Sequence, residues 1–579
     1  MTQARRRAVR WVLPGYALAL AVAVTAPLLA PGYLLLRDAV STPRSYLSDA
    51  ALGLSEAAPR ALPQDFLVAV LSSVIDGGVV VKALLVAGLF LAGCGAGRLA
   101  AQVVGESGLA GQLVAATLAV WNPYVAERLL QGHWSLLVGY GCLPWVATAV
   151  IRLRTGTRPR WPAWAASAFW IAVAGLTPTG LILAAVVAGV CVAVPGGGVS
   201  RPRCAAGILA AALTTALPWL TASALGGALG STPAAGLTAF AARAEPGLGT
   251  LGSLVGLGGI WNAEAVPTSR TTLVALLGTA VLVTVVALGL PRVIRRPVAV
   301  PLLVLAAVGV LAPALAATGP GLAVLRTVVD TAPGLGVLRD GQKWVALAMP
   351  GYAIAGAAAT VTARVWLRPA LAALIAVIAL IAVLPDLAWG VGGKVAPAHY
   401  PRGWSAVASA INADPGAVVV LPADTMRRFG WSGPAPVLDP MPRWLRPEVL
   451  TTGDLTISGQ TVLGEGARAR DIQRTLLAGA GPSELAEAGV RWVVIEEGTA
   501  GDTGDAEQTL RGLPVTYRDD DLTLYHVGGT SPVATQGKRQ IQIAVHLAWM
   551  ALLTTSGCAL AVAALRRRRP APAGHNACG

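Results

Sequence analysis

Apolar residues in this chain fall into long, nearly unbroken runs separated by short polar segments. That is the pattern of helices that cross a bilayer, not of amphipathic surface helices or alternating strands. A hydrocarbon core of about 30 Å takes about 20 residues of helix. Twelve runs approach that length, at residues 10–36, 79–97, 109–124, 134–151, 161–177, 180–194, 204–224, 271–290, 298–317, 344–363, 369–389 and 541–565. The third and sixth are short. The expected fold class is a mainly α-helical polytopic membrane protein with about 12 transmembrane helices.

One long polar stretch interrupts the pattern between the eleventh and twelfth runs. Residues 416–422 and 490–495 are short apolar segments that read as buried strands, and 515–518 with 522–527 reads as a hairpin. Helical patterns at 404–412, 468–477 and 483–488 alternate with them, which suggests an α/β domain. The expected division is a transmembrane part over 1–393, with outer loops at 37–78, 225–270 and 318–343. An extracytoplasmic α/β domain over 394–540, a final span over 541–565 and a basic tail over 566–579 follow.

Composition supports the membrane reading: 55% of residues are hydrophobic, 13% are charged and mean hydropathy is +0.64. Globular chains carry about 25% charged residues, and disorder needs low hydrophobicity. The net charge of +15 would suggest nucleic acid if it were spread over one groove. Alternating the runs from a cytoplasmic Arg5–Arg7 puts 20 basic residues and one acid, Glu106, on the inner side. The outer α/β domain holds 14 basic and 17 acidic residues. This asymmetry is the positive-inside pattern, so the charge reports topology and implies no nucleic-acid partner. It places the chain in the plasma membrane with both termini cytoplasmic and the large domain outside. The first run is too long for a signal-peptide core, and no small-residue cleavage site precedes a soluble mature chain. None of the six cysteines, Cys94, Cys142, Cys191, Cys204, Cys558 and Cys578, lies in the outer domain, so it carries no disulfide.

Few motifs carry chemistry. Gly247, Gly249 and Gly252 spell G-x-G-x-x-G, but in a Gly-rich outer loop without the strand and helix that a dinucleotide site needs. A flexible loop is the expectation there, and closure over a substrate is the second reading. Cysteine and histidine spacings match no zinc site, so no metal ligands are assigned. A divalent cation at Asp38 is the one cofactor left open, and one carboxylate does not make a site. Gly93 and Gly97 form a small-xxx-small pair, which reads as helix packing.

Three outer segments stand out. Asp38 follows Arg37 at the mouth of the first run, where a carboxylate can act as a base. Asn122, Glu127, Arg128 and His133 lie in WNPYVAERLLQGHW. Arg128 is costly there unless paired or snorkelling, and Glu127 is the adjacent candidate, although helix neighbours do not face each other. LGVLRDGQKW places Arg339, Asp340 and Lys343 where cations can grip a phosphate or serve as an outward anchor.

These segments, GYLLLRDAV with PRALPQD, WNPYVAERLLQGHW with GYGCLPW, and LGVLRDGQKW, resemble multi-span actinobacterial envelope proteins similar to the GT-C class of membrane glycosyltransferases. The outer domain also looks like that of YfhO-like membrane proteins. The resemblance implies a polyprenyl-phosphate sugar donor, an envelope glycan or lipid acceptor, and an acidic residue in the first outer loop. By position Asp38 matches best as the catalytic residue, with Asp49 second. An adjacent acidic pair, frequent in that loop in several members, is absent. Arg128, His133, Arg339 and Lys343 would bind the donor phosphate, and Trp431, Asp439 and Trp444 the acceptor. The competing account of the last three is an irregular structural loop. Two other functions stay open at this point, a flippase for a lipid-linked precursor and a non-catalytic assembly scaffold. No internal repeat of the transporter kind is visible.

Overall fold

The computed structural model describes residues 3–568, apart from 58, 158, 227–235, 332–334, 458 and 531–532. Seven described helices are long and apolar enough to cross a membrane: Trp11–Leu29, Gly77–Val103, Trp134–Thr155, Arg201–Gly226, Val274–Val293, Gly341–Val365 and Gln536–Arg566. Two bent pairs bring the number to nine. Val300–Ala316 meets Gly319–Thr331 at 94°, and Pro369–Ala382 meets the 385–392 segment at 74°. The count of about 12 is therefore not reached by length and composition. The other three runs form helices of 13, 14 and 15 residues, Gly108–Val120, Trp161–Ala174 and Pro178–Val192. At 1.5 Å per residue they reach only about 20–23 Å. The run at 109–124 is cut by Asn122–Pro123. The Asn122 side chain accepts from the Val125 amide at 3.0 Å and starts a new helix, Pro123–Leu130.

Trp134–Thr155 and Gly341–Val365 form the centre, each 89% buried, whereas the final helix is 17% buried and lies at the edge. Small residues set the close approaches. A Cβ at Gly88 would lie 2.9 Å from the Val138 Cα, and one at Gly141 would strike the Gly88 carbonyl. Gly93 rests on Ala17, and Gly97 on Leu13, so this pair does pack one helix on another.

Outside the bundle, strands Ala417–Leu421 and Val490–Glu496 pair in parallel, and Leu522–His526 and Val515–Arg518 extend the sheet antiparallel. Helices Arg402–Ala413, Ala467–Leu477 and Pro482–Glu487 accompany them. Valine-rich strands buried on both faces explain the unbroken apolar runs read in the sequence. The first outer loop joins this part of the chain. Tyr33–Leu36 and Ala39–Val40 make a hairpin, and Tyr33–Leu36 also pairs with Pro397–Ala398. Leu35 and Val40 share one buried cluster with Trp404, Val437, Trp444 and Trp492. Residues 33–40 are thereby sewn into the α/β part more than 350 residues later.

Candidate active site at the hairpin tip

Arg37 and Asp38 form the two-residue tip of that hairpin, because Leu36 pairs with Ala39. Arg37 sits at φ +48°, a strained conformation for a non-glycine residue. It is held on every side. Its amide donates to the Pro436 carbonyl at 2.7 Å, and its carbonyl accepts from the Leu438 amide at 2.9 Å. Its guanidinium, almost fully buried, donates to the carbonyls of Leu130 at 2.7 Å and Glu264 at 3.0 Å. Asp38 is then fixed by its own amide, which donates to the Gln131 carbonyl at 3.2 Å. Gly132, at φ +82°, lies flush against the Leu36 carbonyl and the Ala39 amide. No side chain fits between the hairpin and the turn that carries His133.

From Asp38 a relay of polar groups runs inward. Its Oδ2 accepts from His133 Nε2 at 2.8 Å and from Gln131 Nε2 at 3.2 Å. His133 Nδ1 lies 3.1 Å from Arg128 Nη1. A guanidinium only donates, so Nδ1 must be the unprotonated nitrogen and Nε2 must carry the hydrogen. Arg128 thus fixes the tautomer that donates to Asp38. Behind it, fully buried Arg128 donates to both Asp340 oxygens, at 2.7 and 3.0 Å, and also to Gln342 Oε1. Gln342 passes its amide to Glu127 at 3.0 Å, and Glu127 accepts the amides of Gly259 and Ile260 at 3.2 and 3.1 Å. Among the described residues Asp38 Oδ1 has no hydrogen-bond partner, and the Asp38 side chain is 38% exposed.

The electrostatics agree with this geometry. Burial pushes the His133 imidazole below its usual range, and the positive charges of Arg128 and Lys343 add to that against the pull of Asp38. At neutral pH it is uncharged. Burial works to raise Asp38, but the hydrogen bonds from His133 and Gln131 and the charge of Lys343 together hold it below the usual carboxylate range. Burial would raise Asp340 too, and the charges of Arg128 and Lys343 hold it well below that range. The site therefore presents an ionised, half-exposed carboxylate with one free oxygen.

The expected site residues divide between this relay and other places. Asp38, Arg128 and His133 come together, and Lys343 lies close enough for its charge to act on Asp38 while its Nζ is 3.9 Å from Asp340. Arg339 points elsewhere. Its guanidinium lies 4.6 Å over the Phe240 ring, with no carboxylate in ion-pair range among the described residues. Burial and the nearby Arg60 push it down to about 10. Arg60, which carried no sequence assignment, pairs with Glu465 and adds to the positive charge around Lys343.

Asp49 is committed to another task. Both its oxygens accept from Arg539 at the start of the final helix, at 2.6 and 2.8 Å, and it also accepts the Ala534 amide. Trp431 and Trp444 pack around Tyr400 and Trp404, with ring centroids 5.3 and 4.6 Å from Tyr400. Asp439 is buried beside Arg427 at 3.7 Å and accepts the Met441 amide at 2.8 Å. Trp444 and Asp439 are buried beneath the hairpin, and Trp431 packs half-buried against the same cluster.

The Gly247, Gly249 and Gly252 stretch is ordered. It leads into helix Gly249–Val255 beside a buried pair, Glu245 with Arg270, in place of the expected flexible loop. Among the described residues no group of three or more His, Cys, Asp or Glu is spaced to hold a metal ion.

Sequence partners across the relay were legible only in part. Gln131, Gln342 and Asn262 have ordinary polar signatures and become site residues only when distant loops meet. Asn262 donates to Gln131 at 2.8 Å.

No family model matches the sequence, and no curated protein matches it. Solved structures do. The arabinofuranosyltransferase AftD from mycobacteria, determined by single-particle cryo-EM in a mutant form, superposes in one class with a TM-score of 0.57 at 17% identity, over 91% of this chain and 42% of that chain. A second class gives a TM-score of 0.51 at 16% identity over the same shares, 91% and 42%. The chain thus spans less than half the length of the protein it superposes on. At this identity the likeness shows the fold alone, and it agrees with the GT-C-like helical membrane fold that the three sequence segments suggested, here with an α/β part near the C-terminus.

Proposed function

We propose that the chain is a membrane glycosyltransferase that moves a sugar from a polyprenyl-phosphate donor to an envelope glycan or lipid on the outer face. Asp38 is the general base. Its free Oδ1 takes the proton of the acceptor hydroxyl, and the acceptor oxygen forms a bond to the anomeric carbon. The bond from that carbon to the phosphate oxygen breaks, and its electron pair leaves on the polyprenyl phosphate. A single displacement of this kind inverts the sugar carbon. His133 positions Asp38 and is not an acid here, since Arg128 holds its Nδ1 unprotonated. Lys343, with Arg339 and Arg60 contributing charge, neutralises the donor phosphate as it accumulates charge. Asp49 is engaged by Arg539, and Asp439 and Trp444 are buried, so their roles in this reading are structural.

The observation that carries the reading is the half-exposed Asp38 carboxylate. Its one oxygen is fixed by His133 at 2.8 Å and its other is open, and it stands at the mouth of a bundle with the AftD fold. The AftD name points to arabinofuranose as the first sugar to try. The test uses purified protein in nanodiscs, a panel of polyprenyl-phosphate sugars led by the arabinofuranosyl form, and envelope glycan fragments as acceptors. Transfer that D38N abolishes and D49N keeps supports the proposal. Undiminished transfer by D38N refutes the catalytic role. Movement of labelled donor between leaflets without transfer would point to a flippase instead.

A further inference from the structure

A second concentration of charge lies at the opposite ends of the same helices. Trp134–Thr155 starts beside His133 and ends with Arg152 and Arg154 in its last turn, which is about 30 Å away at 1.5 Å per residue. There the turn between Pro178–Val192 and Arg201–Gly226 borders two open depressions that meet at Gly198, Val199 and Ser200. One, of about 540 Å³, is lined by Arg154 and Arg201. The other, of about 880 Å³, is lined by Arg160, Arg203, Trp161 and Trp164.

Among the described residues no carboxylate lies in ion-pair range of Arg154, Arg160, Arg201 or Arg203. Arg154 is only 4% exposed and donates solely to carbonyl oxygens, that of Val194 at 3.1 Å and that of Val199. Burying a guanidinium without a carboxylate is costly unless an anion completes it. Arg160 makes one long contact, to the Gly197 carbonyl at 3.5 Å, and its Nε is buried without a partner. No aspartate or glutamate occurs between Glu127 and Glu245, or anywhere after Asp521. The one acid that the sequence reading assigns to this end, Glu106, is taken by Arg296. Arg566 adds to the basic side, 5.9 Å from the centre of the Trp161 ring.

The walls are amphipathic as well as basic. Trp161 is 37% exposed, and Trp164 lies flush on Gly207 at the back of the larger depression. Arginine forks match phosphate oxygens two at a time, and tryptophan settles at the junction of headgroups and acyl chains. We propose that this double depression binds the headgroup of an anionic phospholipid, with its phosphodiester among Arg160, Arg201 and Arg203 and its acyl chains leaving along Trp161 and Trp164. The ligand is thus a phosphate ester supplied by the leaflet on the side away from Asp38. The site is independent of the transfer reaction.

The test uses the full chain purified in detergent, with phosphatidylglycerol, phosphatidylcholine or glycerol phosphate added. Retained lipid is read by native mass spectrometry and the unfolding midpoint by a thermal shift. Phosphatidylglycerol should be retained in preference and raise the midpoint. R160Q/R203Q should weaken that binding about tenfold or more, since each basic group near an anionic lipid contributes about a factor of five. R295Q/R368Q removes the same charge from the same end outside the depressions and should leave binding unchanged. The midpoint in phosphatidylcholine shows that each variant folds. Equal retention of the two lipids would overturn the proposal, and so would equal losses in both double variants. A glycerol phosphate shift matching that of the lipid would overturn the lipid assignment in favour of a soluble phosphoester.

Discussion

Gly132→Ala tests whether the seating of the hairpin sets catalysis. Gly132 lies in the left-handed region at φ +82°, which costs an alanine about 1–2 kcal/mol. Its new methyl would stand 2.9 Å from the Ala39 Cβ and closer still to the Leu36 carbonyl and Ala39 amide. Carbon–carbon contacts settle at about 3.5–4.0 Å, so the hairpin tip must retreat by about 1 Å. Asp38 rides on that tip and His133 on the other side of the glycine, so their 2.8 Å bond is what stretches. A displacement of about 1 Å can reduce turnover by about 100-fold. The expected result is a fall in kcat of that order, with KM for the donor nearly unchanged, because Lys343 and Arg339 lie on a different segment. Thermal stability should drop by only a few degrees. Gly105→Ala, where nothing lies within 4 Å of the added carbon, is the matched control and should be silent. Wild-type turnover in G132A with an unchanged melting point would refute the idea that this contact positions Asp38.

Three further outcomes follow from the same geometry. Asp340→Asn strands buried Arg128 and should cost about 3–5 kcal/mol, measured by thermal or denaturant unfolding in detergent; R128M/D340L should recover much of the stability and none of the transfer. The folded-state pKa of His133 is lowered, so the unfolded chain takes its proton first and stability should fall as pH drops below about 6.5. The lowered Asp38 and Asp340 add a second loss below about 3.8, and a pH series of melting points for wild type and H133Q should show only the first leg flattened. Asp49→Asn should loosen the final helix by about 1 kcal/mol while leaving transfer intact, and a loss of turnover comparable to D38N would return Asp49 to the catalytic reading.

Helices announced themselves in the sequence where twenty apolar residues run without a break, as at Gly77–Val103 and Val274–Val293. The reading failed where a polar cap hides inside an apolar run: Asn122–Pro123 ends one helix and begins another at little cost in mean hydropathy. Asp38 and His133 could be picked out because ionisable groups are rare beside apolar runs. Their relation could not, since it depends on a hairpin tip meeting a turn 95 residues later. The partner of Arg128 illustrates the limit. Its sequence neighbour Glu127 points along another helix face to the Gly259 and Ile260 amides, and the guanidinium is answered by Asp340, 212 residues away. The tryptophans and Asp439 misled for the opposite reason. Aromatic and acidic residues in a proline-rich stretch look like a glycan surface, yet here Trp444 and Asp439 are buried beneath the hairpin and Trp431 packs half-buried against them.

The tie between Arg37 and the Pro436–Leu438 segment also fixes an order of events during synthesis. Asp38 is made well before the backbone partners that hold its neighbour in the left-handed conformation, which follow about 400 residues later. A nascent chain made as far as Val365 already contains Asp38, His133, Arg128 and Asp340, and still lacks the clamp that shapes the tip. Competence thus arrives late, once the outer part has closed over the hairpin. A chain stalled or cleaved before Val437 would sit in the membrane with every charged group of the relay present and no means of aiming the carboxylate.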